Sequence, residues 1–155
     1  MKTQRIYLDT SVFGGCFDNE FEIWSNSLFR DINIGLFIGV TSEIVEAEIA
    51  EAPKKVKDQF SEFLETNPEI LSLNIEVIKL VDNYLEHKIL SEKFRNDMLH
   101  IALSTTADVD MLVSWNFRHI VRYDKIRKFN AVNLEQGYRT LDIYSPREVT
   151  SYEKD

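Results

Sequence analysis

Short strand-like segments alternate with longer helix-like segments along this entire sequence. The strand-like segments are apolar runs at residues 6–8, 36–40, 70–73, 111–114 and 141–143. Between them, apolar residues recur at the spacing of one helix face, as they do through residues 21–32, 56–64 and 75–85. Such alternation is typical of a parallel sheet with helices packed on both of its faces. The sequence therefore predicts an α/β fold.

The length and composition of the chain indicate a single domain. Its 155 residues are enough to bury one hydrophobic core. We expect residues 1–147 to form this domain and the polar residues 148–155 to form a tail that frays. No apolar run reaches the roughly 18 residues that a membrane span needs, and we expect no signal peptide. Because Cys16 is the single cysteine, the chain cannot form an internal disulfide, and we expect a cytoplasmic protein.

The charge of the chain is unevenly distributed. A formal net charge of −8 argues against a protein that coats nucleic acids without specificity. Residues 118–128 depart from this acidic balance, because they contain five basic residues and one acidic residue. An acidic chain with one basic segment fits a protein with a focused binding site.

Several polar side chains are predicted to meet at the carboxyl edge of the sheet. Asp9 ends the first strand and Asn116 follows the fourth, and open parallel sheets build their sites at this edge. A helical wheel places Glu48 inside the buried arc of the helix that follows Thr41. Asp97 lies at the edge of the apolar face of the helix that contains residues 98–103. A buried carboxylate is costly unless it is paired or binds a metal ion, so Glu48 needs a partner.

Other roles for the same residues remain open. Glu48 could form a buried salt bridge with a lysine or an arginine, and Asp97 could be a carboxylate at a helix start. Thr10 and Ser11 could orient a carboxylate or a water on a metal ion, or they could cap the next helix. His100 could act as a general base, but a lone histidine in an apolar helix is more often a hydrogen-bonded core residue. We interpret His100 as structural.

Three carboxylates and an amide suit Mg²⁺ or Mn²⁺, which are hard cations that prefer oxygen ligands. We predict that Asp9, Glu48 and Asp97 bind the metal ion and that Asn116 completes the catalytic site. Such an ion can activate water and offset the charge that develops on a phosphoryl group. The sequence thus predicts hydrolysis at phosphate.

The same residues occur in a series of motifs that resembles a known family. Asp9 in Leu8-Asp9-Thr10-Ser11, Glu48 in residues 45–49, Asp97 in residues 96–102 and Asn116 in residues 112–117 resemble the motifs of PIN domains. The VapC-like toxins of type II toxin–antitoxin pairs are the most similar group, and the resemblance extends from residue 6 to about residue 143. It implies a three-layer α/β/α fold with a parallel five-stranded sheet in the order 3-2-1-4-5. The fourth acidic position of the family is occupied here by Asn116.

The resemblance also implies a function. It predicts a Mg²⁺- or Mn²⁺-dependent endoribonuclease that cleaves single-stranded RNA, with an antitoxin as partner and a homodimer as assembly. Beside Thr10 and Ser11, the predicted substrate-binding residues are Arg118, Arg122, Lys125 and Arg127. Phe117, Tyr123 and Phe129 could stack on bases, but we expect these aromatic residues to face the core. The alternative is a catalytically weak PIN-like module that binds RNA or a protein without cutting, for which Asn116 is the main support.

Overall fold

A computed structural model describes residues 2–151 of the chain. Within these residues the strands are β1 (Gln4–Leu8), β2 (Phe37–Ser42), β3 (Glu69–Leu71), β4 (Met111–Val113) and β5 (Ile143–Tyr144). The helices are α1 (Thr10–Gly15), α2 (Glu22–Asn33), α3 (Glu43–Ile49), α4 (Lys54–Leu64), α5 (Ile75–Glu86), α6 (Arg95–Thr106), α7 (Tyr123–Glu135) and α8 (Pro146–Val149). A 3₁₀ turn at Glu92–Phe94 leads into α6. Across the described residues, no helix combines the length and the apolarity needed to cross a lipid bilayer.

The five described strands form one sheet in the order β3-β2-β1-β4-β5, and all neighbouring pairs are parallel. The predicted α/β fold with strand order 3-2-1-4-5 is therefore confirmed. β1 lies at the centre, with Tyr7 in register with Val40 of β2 and Leu8 in register with Val113 of β4. Residues that follow β1 and β4 are consequently neighbours at the carboxyl edge of the sheet.

Contacts with neighbouring elements explain why the end of β2 and the start of β5 differ from their predicted bounds. β2 continues to Ser42, since Thr41 and Ser42 pair with Ile70 and Leu71 of β3. Ser42 also begins α3, because its hydroxyl accepts a hydrogen bond from the Val45 amide. β5 starts at Ile143 rather than at residue 141, because the amide of residue 141 donates to the Asn130 side chain of α7.

Helices cover both faces of the sheet and bury its central strand. Ile6, Tyr7 and Leu8 have no exposed surface. Contacts link α1, α2, α4 and α8 into one group of helices and α5, α6 and α7 into a second, while α3 contacts members of both groups. α6 is buried continuously from Met98 to Thr105, as its apolar sequence predicts. The site described below lies where β1, α3 and α6 converge.

The start of the predicted polar tail is folded. Pro146 to Val149 form α8. The two residues after α8, Thr150 and Ser151, are held by the carboxylate of Asp31 on α2. Asp31 accepts hydrogen bonds from the Thr150 hydroxyl at 2.9 Å and from the Ser151 amide at 2.8 Å. The prediction of a frayed segment is therefore wrong for residues 148–151, because the sequence pattern could not reveal this distant carboxylate. The remainder of the predicted tail, residues 152–155, lies outside the described residues.

Candidate active site

Asp9 follows the central strand β1, and its backbone amide donates to the carbonyl of Val113 on the neighbouring strand β4. Its side chain is 4% exposed. The Ser11 hydroxyl donates to Oδ1 at 2.6 Å, and the Ser114 hydroxyl donates to Oδ2 at 2.7 Å. Within the described part of the chain, the carboxylate makes no capping hydrogen bond to α1, although Asp9 occupies the N-cap position. Two hydroxyls thus fix a buried carboxylate at the edge of the sheet.

Glu48 is held beside Asp9 by three side chains, one from α1 and two from α6. The Thr10 hydroxyl donates to Glu48 Oε1 at 2.7 Å, and His100 Nε2 of α6 lies 2.8 Å from the same oxygen. Asn96 Nδ2 donates to Oε2 at 3.4 Å. The Glu48 side chain is 31% exposed, so it lies at the boundary of the buried arc. Its cationic partner is a histidine, where the sequence left a lysine or an arginine open.

A hydrogen-bonded chain continues from His100 into the core. His100 Nδ1 lies 2.7 Å from the Tyr7 hydroxyl, which lies 2.7 Å from the hydroxyl of Ser42. With both ring nitrogens protonated, His100 donates to Glu48 on one side and to Tyr7 on the other. Because Ser42 also caps α3, the same hydroxyl orients both the helix that carries Glu48 and the tyrosine that holds His100.

The electrostatics of these groups follow from burial and from proximity. Burial raises the pKa of Asp9, and the charge of Glu48 adds to this, while His100 and the two serine hydroxyls offset only part of it. Burial opposes the shift of His100, but the Glu48 hydrogen bond and the charges of Asp9, Glu48 and Asp97 outweigh it and raise the pKa of the imidazole. Burial likewise opposes the shift of Glu48, yet His100, Thr10 and Asn96 lower its pKa. His100 and Glu48 therefore form an ion pair beside a buried acid.

Asp97 belongs to a second histidine–carboxylate pair. His119 Nδ1 lies 2.7 Å from Asp97 Oδ2, and both side chains are largely buried. The Asn116 side-chain oxygen accepts hydrogen bonds from the backbone amides of Arg118 at 3.2 Å and His119 at 2.9 Å. Asn116 thus stabilises the turn that delivers His119 to Asp97. The ring of Phe94 packs on His119 with centroids 4.0 Å apart.

Sequence reasoning missed several of these residues. The interpretation of His100 as a hydrogen-bonded core residue fits its burial, but it overlooked the contact with Glu48. A signal was present, because His100 follows Asp97 by three residues and therefore shares its helix face. His119 follows Asn116 by the same spacing, in a turn. Nothing in the sequence alone identifies Ser114, whose contact with Asp9 depends on the pairing of β1 with β4.

The four predicted RNA-guiding residues differ in their surroundings. The Arg118 guanidinium lies 5.4 Å from the centroid of Phe94, the ring that also packs on His119. The other three contact groups on or near α7: Arg122 donates to Asp124, Lys125 to the carbonyl of Ile89, and Arg127 to the Tyr123 hydroxyl. Of the four, Arg118 is connected to the carboxylates through its neighbours.

The prediction that the nearby aromatic residues face the core is correct for one of three. Phe129 is fully buried, but Phe117 is 50% exposed and Tyr123 is 75% exposed. Phe117 lies within the Asn116 turn, and Tyr123 is the first residue of α7. Two aromatic rings are therefore available at the surface of this region.

The donor types of the site fit a divalent cation, although the described side chains are not assembled around one. Asp9 is buried with a raised pKa, which is the situation that a nearby cation relieves. Glu48 and Asp97 each engage a histidine through one oxygen, Oε1 and Oδ2. Among residues 2–151, no three His, Cys, Asp or Glu side chains are grouped so that they could hold a metal ion.

Comparison with known proteins supports the architecture. No protein-family model matches the sequence, and no curated protein matches it. A solved structure with a similar fold is a chain in the crystal structure of VapBC2 from Rickettsia felis bound to a DNA fragment from their promoter. The TM-score is 0.58 at 15% sequence identity, and the match covers 91% of this chain and 98% of that chain. At this identity the likeness establishes the fold, which is a PIN-like three-layer α/β/α fold.

Proposed function

We propose that this protein is a metal-dependent endoribonuclease that cleaves single-stranded RNA. The observation that carries the proposal is the position of Asp9, Glu48 and Asp97 around the buried His100, whose pKa all three raise. These carboxylates come from the end of β1, from α3 and from α6, so only the folded chain brings them to one edge of the sheet. Carboxylates gathered at this edge of a parallel sheet are suited to a Mg²⁺ or Mn²⁺ site.

In this proposal Asp9, Glu48 and Asp97 hold the ion. When bound, the ion supplies a Lewis acid that lowers the pKa of water and offsets charge on the phosphate. Ser11 and Ser114 keep the Asp9 carboxylate in one orientation, and Thr10 does the same for Glu48. His100 supplies the positive partner that keeps Glu48 ionised, and His119 holds the Asp97 carboxylate in place through a hydrogen bond.

The basic residues of the 118–128 segment contact the RNA backbone. Arg118 lies next to the histidine that holds Asp97, so it is placed for a phosphate near the reacting one. Arg122, Lys125 and Arg127 extend the positive surface along α7. Thr10 and Ser11 remain proposed substrate contacts. Asn116 is proposed as a weak oxygen donor, which competes with its hydrogen bonds to the turn.

The biological role proposed is that of a toxin in a toxin–antitoxin pair. The motif resemblance and the fold shared with a chain of the VapBC2 complex support this role. It implies an antitoxin protein that binds the chain, a homodimer, and a cytoplasmic location. Co-expression of the chain with the product of a neighbouring reading frame, followed by co-purification, tests the partner.

Replacing Asp9 tests the nuclease directly. Asp9→Asn removes one ligand charge while it preserves size, so we expect cleavage of RNA oligonucleotides in Mn²⁺ to fall by at least about a hundred-fold. Folding should persist, because a neutral amide relieves the cost of the buried charge. Asp58→Asn, which alters an exposed carboxylate paired with Lys54, is the control and should cleave normally. Full activity of Asp9→Asn would refute the assignment.

The rival function is a catalytically weak module that binds RNA or a protein. Two observations favour it. The side-chain oxygen of Asn116 already accepts hydrogen bonds from two backbone amides. In residues 2–151, no three His, Cys, Asp or Glu side chains are grouped so that they could hold a metal ion. Purified protein incubated with mixed RNA oligonucleotides, with Mn²⁺ and with EDTA, separates the two functions. Metal-dependent cleavage that Asp9→Asn abolishes supports the nuclease, whereas binding without cleavage in either condition supports the module.

A further inference from the structure

We propose that Phe117, seated on Phe21 and Trp115, forms a stacking site for one unpaired nucleobase beside the carboxylates. These three residues are called the aromatic shelf below. The inference rests on the proposed function in its choice of RNA as ligand, and it adds the element that recognises the base. It is supported by the packing of these rings, because Trp115 is buried while Phe117 is exposed.

The inner part of the aromatic shelf is fixed. Phe21 stacks on Trp115 with ring centroids 4.0 Å apart and planes 15° from parallel. The indole nitrogen of Trp115 donates to the Ser25 hydroxyl at 2.8 Å, which anchors the ring in α2. Trp115 is 7% exposed, so its ring is packed within the fold.

The outer part of the shelf is open to solvent. The Phe117 ring lies 6.3 Å from Phe21 and 6.1 Å from Trp115, at inclined angles, and it is 50% exposed. An aromatic ring that is held at its edge by two others, with much of its surface in water, offers a flat apolar surface in a defined position. Nucleobases stack on such rings in proteins that bind single strands.

Backbone hydrogen bonds connect the shelf to the carboxylates. The Trp115 amide donates to Ser11 Oγ at 2.9 Å, and the Asn116 amide donates to Ser114 Oγ at 2.9 Å. These two hydroxyls are the ones that hold Asp9. The chain segment that carries Phe117 is therefore built into the same hydrogen-bonded unit as the proposed reaction centre, and a base on the ring is held in register with that centre.

The charges around the shelf favour a nucleotide as its occupant. Arg118 follows Phe117 and is exposed, so the residue next to the ring in the chain carries the positive charge that the phosphate of a bound nucleotide requires. The net charge of −8 makes general attraction of phosphates weak, so an uncharged contact must contribute affinity. A base in a duplex has both faces covered, and the shelf therefore selects unpaired bases.

Equilibrium binding of a short single-stranded RNA oligonucleotide, measured in EDTA so that cleavage does not intervene, tests the proposal. We expect Phe117→Leu to weaken binding about ten-fold, because a leucine cannot stack, and Phe117→Tyr to bind as the original chain does. Phe17→Leu is the matched control, since Phe17 is an exposed phenylalanine that contacts Lys55, outside the shelf. The salt dependence of binding should be equal for all of these proteins, because stacking changes no charge.

The possible outcomes separate this inference from the proposed function. Unchanged affinity of Phe117→Leu, an equal loss in Phe17→Leu, or no binding of the oligonucleotide by the original chain overturns the stacking site. Binding that depends on Phe117 without cleavage in Mn²⁺ supports the stacking site and contradicts the nuclease. Cleavage in Mn²⁺ with binding that does not depend on Phe117 supports the nuclease and contradicts the stacking site.

Discussion

His100 is the residue at which the hydrogen bonds and the charges of the site meet. It contacts Tyr7 and Glu48 directly, and the charges of Asp9 and Asp97 also act on it. A buried imidazolium with this number of carboxylate neighbours stabilises the folded chain only while both members of its ion pair are charged. The stability of the protein should therefore depend on pH in a defined window.

His100→Gln tests this dependence. The pKa of His100 is raised above its ordinary 6.5, so its contribution is complete below that pH and is lost as pH rises through the folded value. The pKa of Glu48 is lowered below its ordinary 4.5, so its contribution is complete above that pH and is lost on acidification. In urea unfolding with EDTA, we expect the variant to lose about 2 kcal/mol near pH 5.5 and less at about pH 9 or pH 3.

A matched substitution controls for histidine loss in general. His87 pairs with Glu135 at 3.7 Å with both side chains well exposed, so His87→Gln should change stability by less than about 0.5 kcal/mol at each pH. A loss in His100→Gln that is the same at all three pH values would contradict the ion pair and leave only the packing of the imidazole.

For individual residues, the sequence predicts which way a side chain faces better than it predicts which residue that side chain contacts. Periodicity places Glu48 toward the interior and shows that it needs a partner, but the partner lies 52 residues away on α6. A helical wheel describes one helix and contains no information on which side chain of another helix faces it. The same reason explains why Asp31 and its contacts with Thr150 and Ser151 could not be predicted.

The two glycines of the short helix α1, Gly14 and Gly15, have different surroundings. A Cβ added at Gly15 would lie 2.5 Å from both Ser25 Oγ and Trp115 Nε1, whereas one at Gly14 would meet no atom within 4 Å. Gly15 therefore permits the indole of Trp115 to pack against α1 and to reach Ser25. Gly14 has no such requirement.

Alanine at these two positions should have opposite effects. Gly15→Ala forces Trp115 out of its place, and we expect a loss of about 1–3 kcal/mol in the free energy of unfolding. Gly14→Ala removes glycine flexibility from a helix in open space and should add up to about 1 kcal/mol. Urea denaturation followed by tryptophan fluorescence measures both. Equal effects would mean that α1 moves to accommodate either methyl group.

The elements themselves were largely predictable, and their ends less so. Asn74 and Ser42 are residue types that favour the N-cap position, and both accept a hydrogen bond from the amide three residues ahead. Helix caps are local, so the sequence contains the information needed to place them. The start of β5 depends instead on Asn130 of α7, which removes residue 141 from the strand. Strand ends are set by neighbours in space, which a linear pattern does not identify.

For the molecule as a whole, strand direction separates two chemically distinct edges. At the amino edge, Arg5 of β1 donates from its backbone amide to Asp110 and from its side chain to Glu69. At the carboxyl edge, Asp9 and Glu48 face hydroxyls and a histidine. Asp110 precedes β4 and therefore lies at the amino edge, at the opposite end of the sheet from Asp9. Because the five described strands are parallel, the position of an acidic residue before or after its strand indicates the edge of the sheet at which it lies.

The single cysteine offers a measurement of how the whole molecule opens. Burial, with a contribution from the charge of Glu62, raises the pKa of Cys16 to about 12. Its ordinary value is 9.0, so burial lowers the thiolate fraction at pH 8 by about a thousand-fold. We expect Ellman's reagent to label the native protein at least about a thousand-fold more slowly than the protein unfolded in urea.

The rate of this labelling should follow global stability. If Cys16 reacts only after the chain unfolds, a variant that loses about 2 kcal/mol must be labelled about 30-fold faster, since opening is then governed by the free energy of unfolding. His100→Gln tests this relation, because His100 lies on α6 and Cys16 follows α1. The labelling rate and the free energy of unfolding should be measured at the same pH, with Cys16→Ala as the blank, and the increase in rate should match the loss of stability at that pH. Native labelling that is fast and equal in both proteins would instead show that α1 opens locally, without unfolding of the sheet.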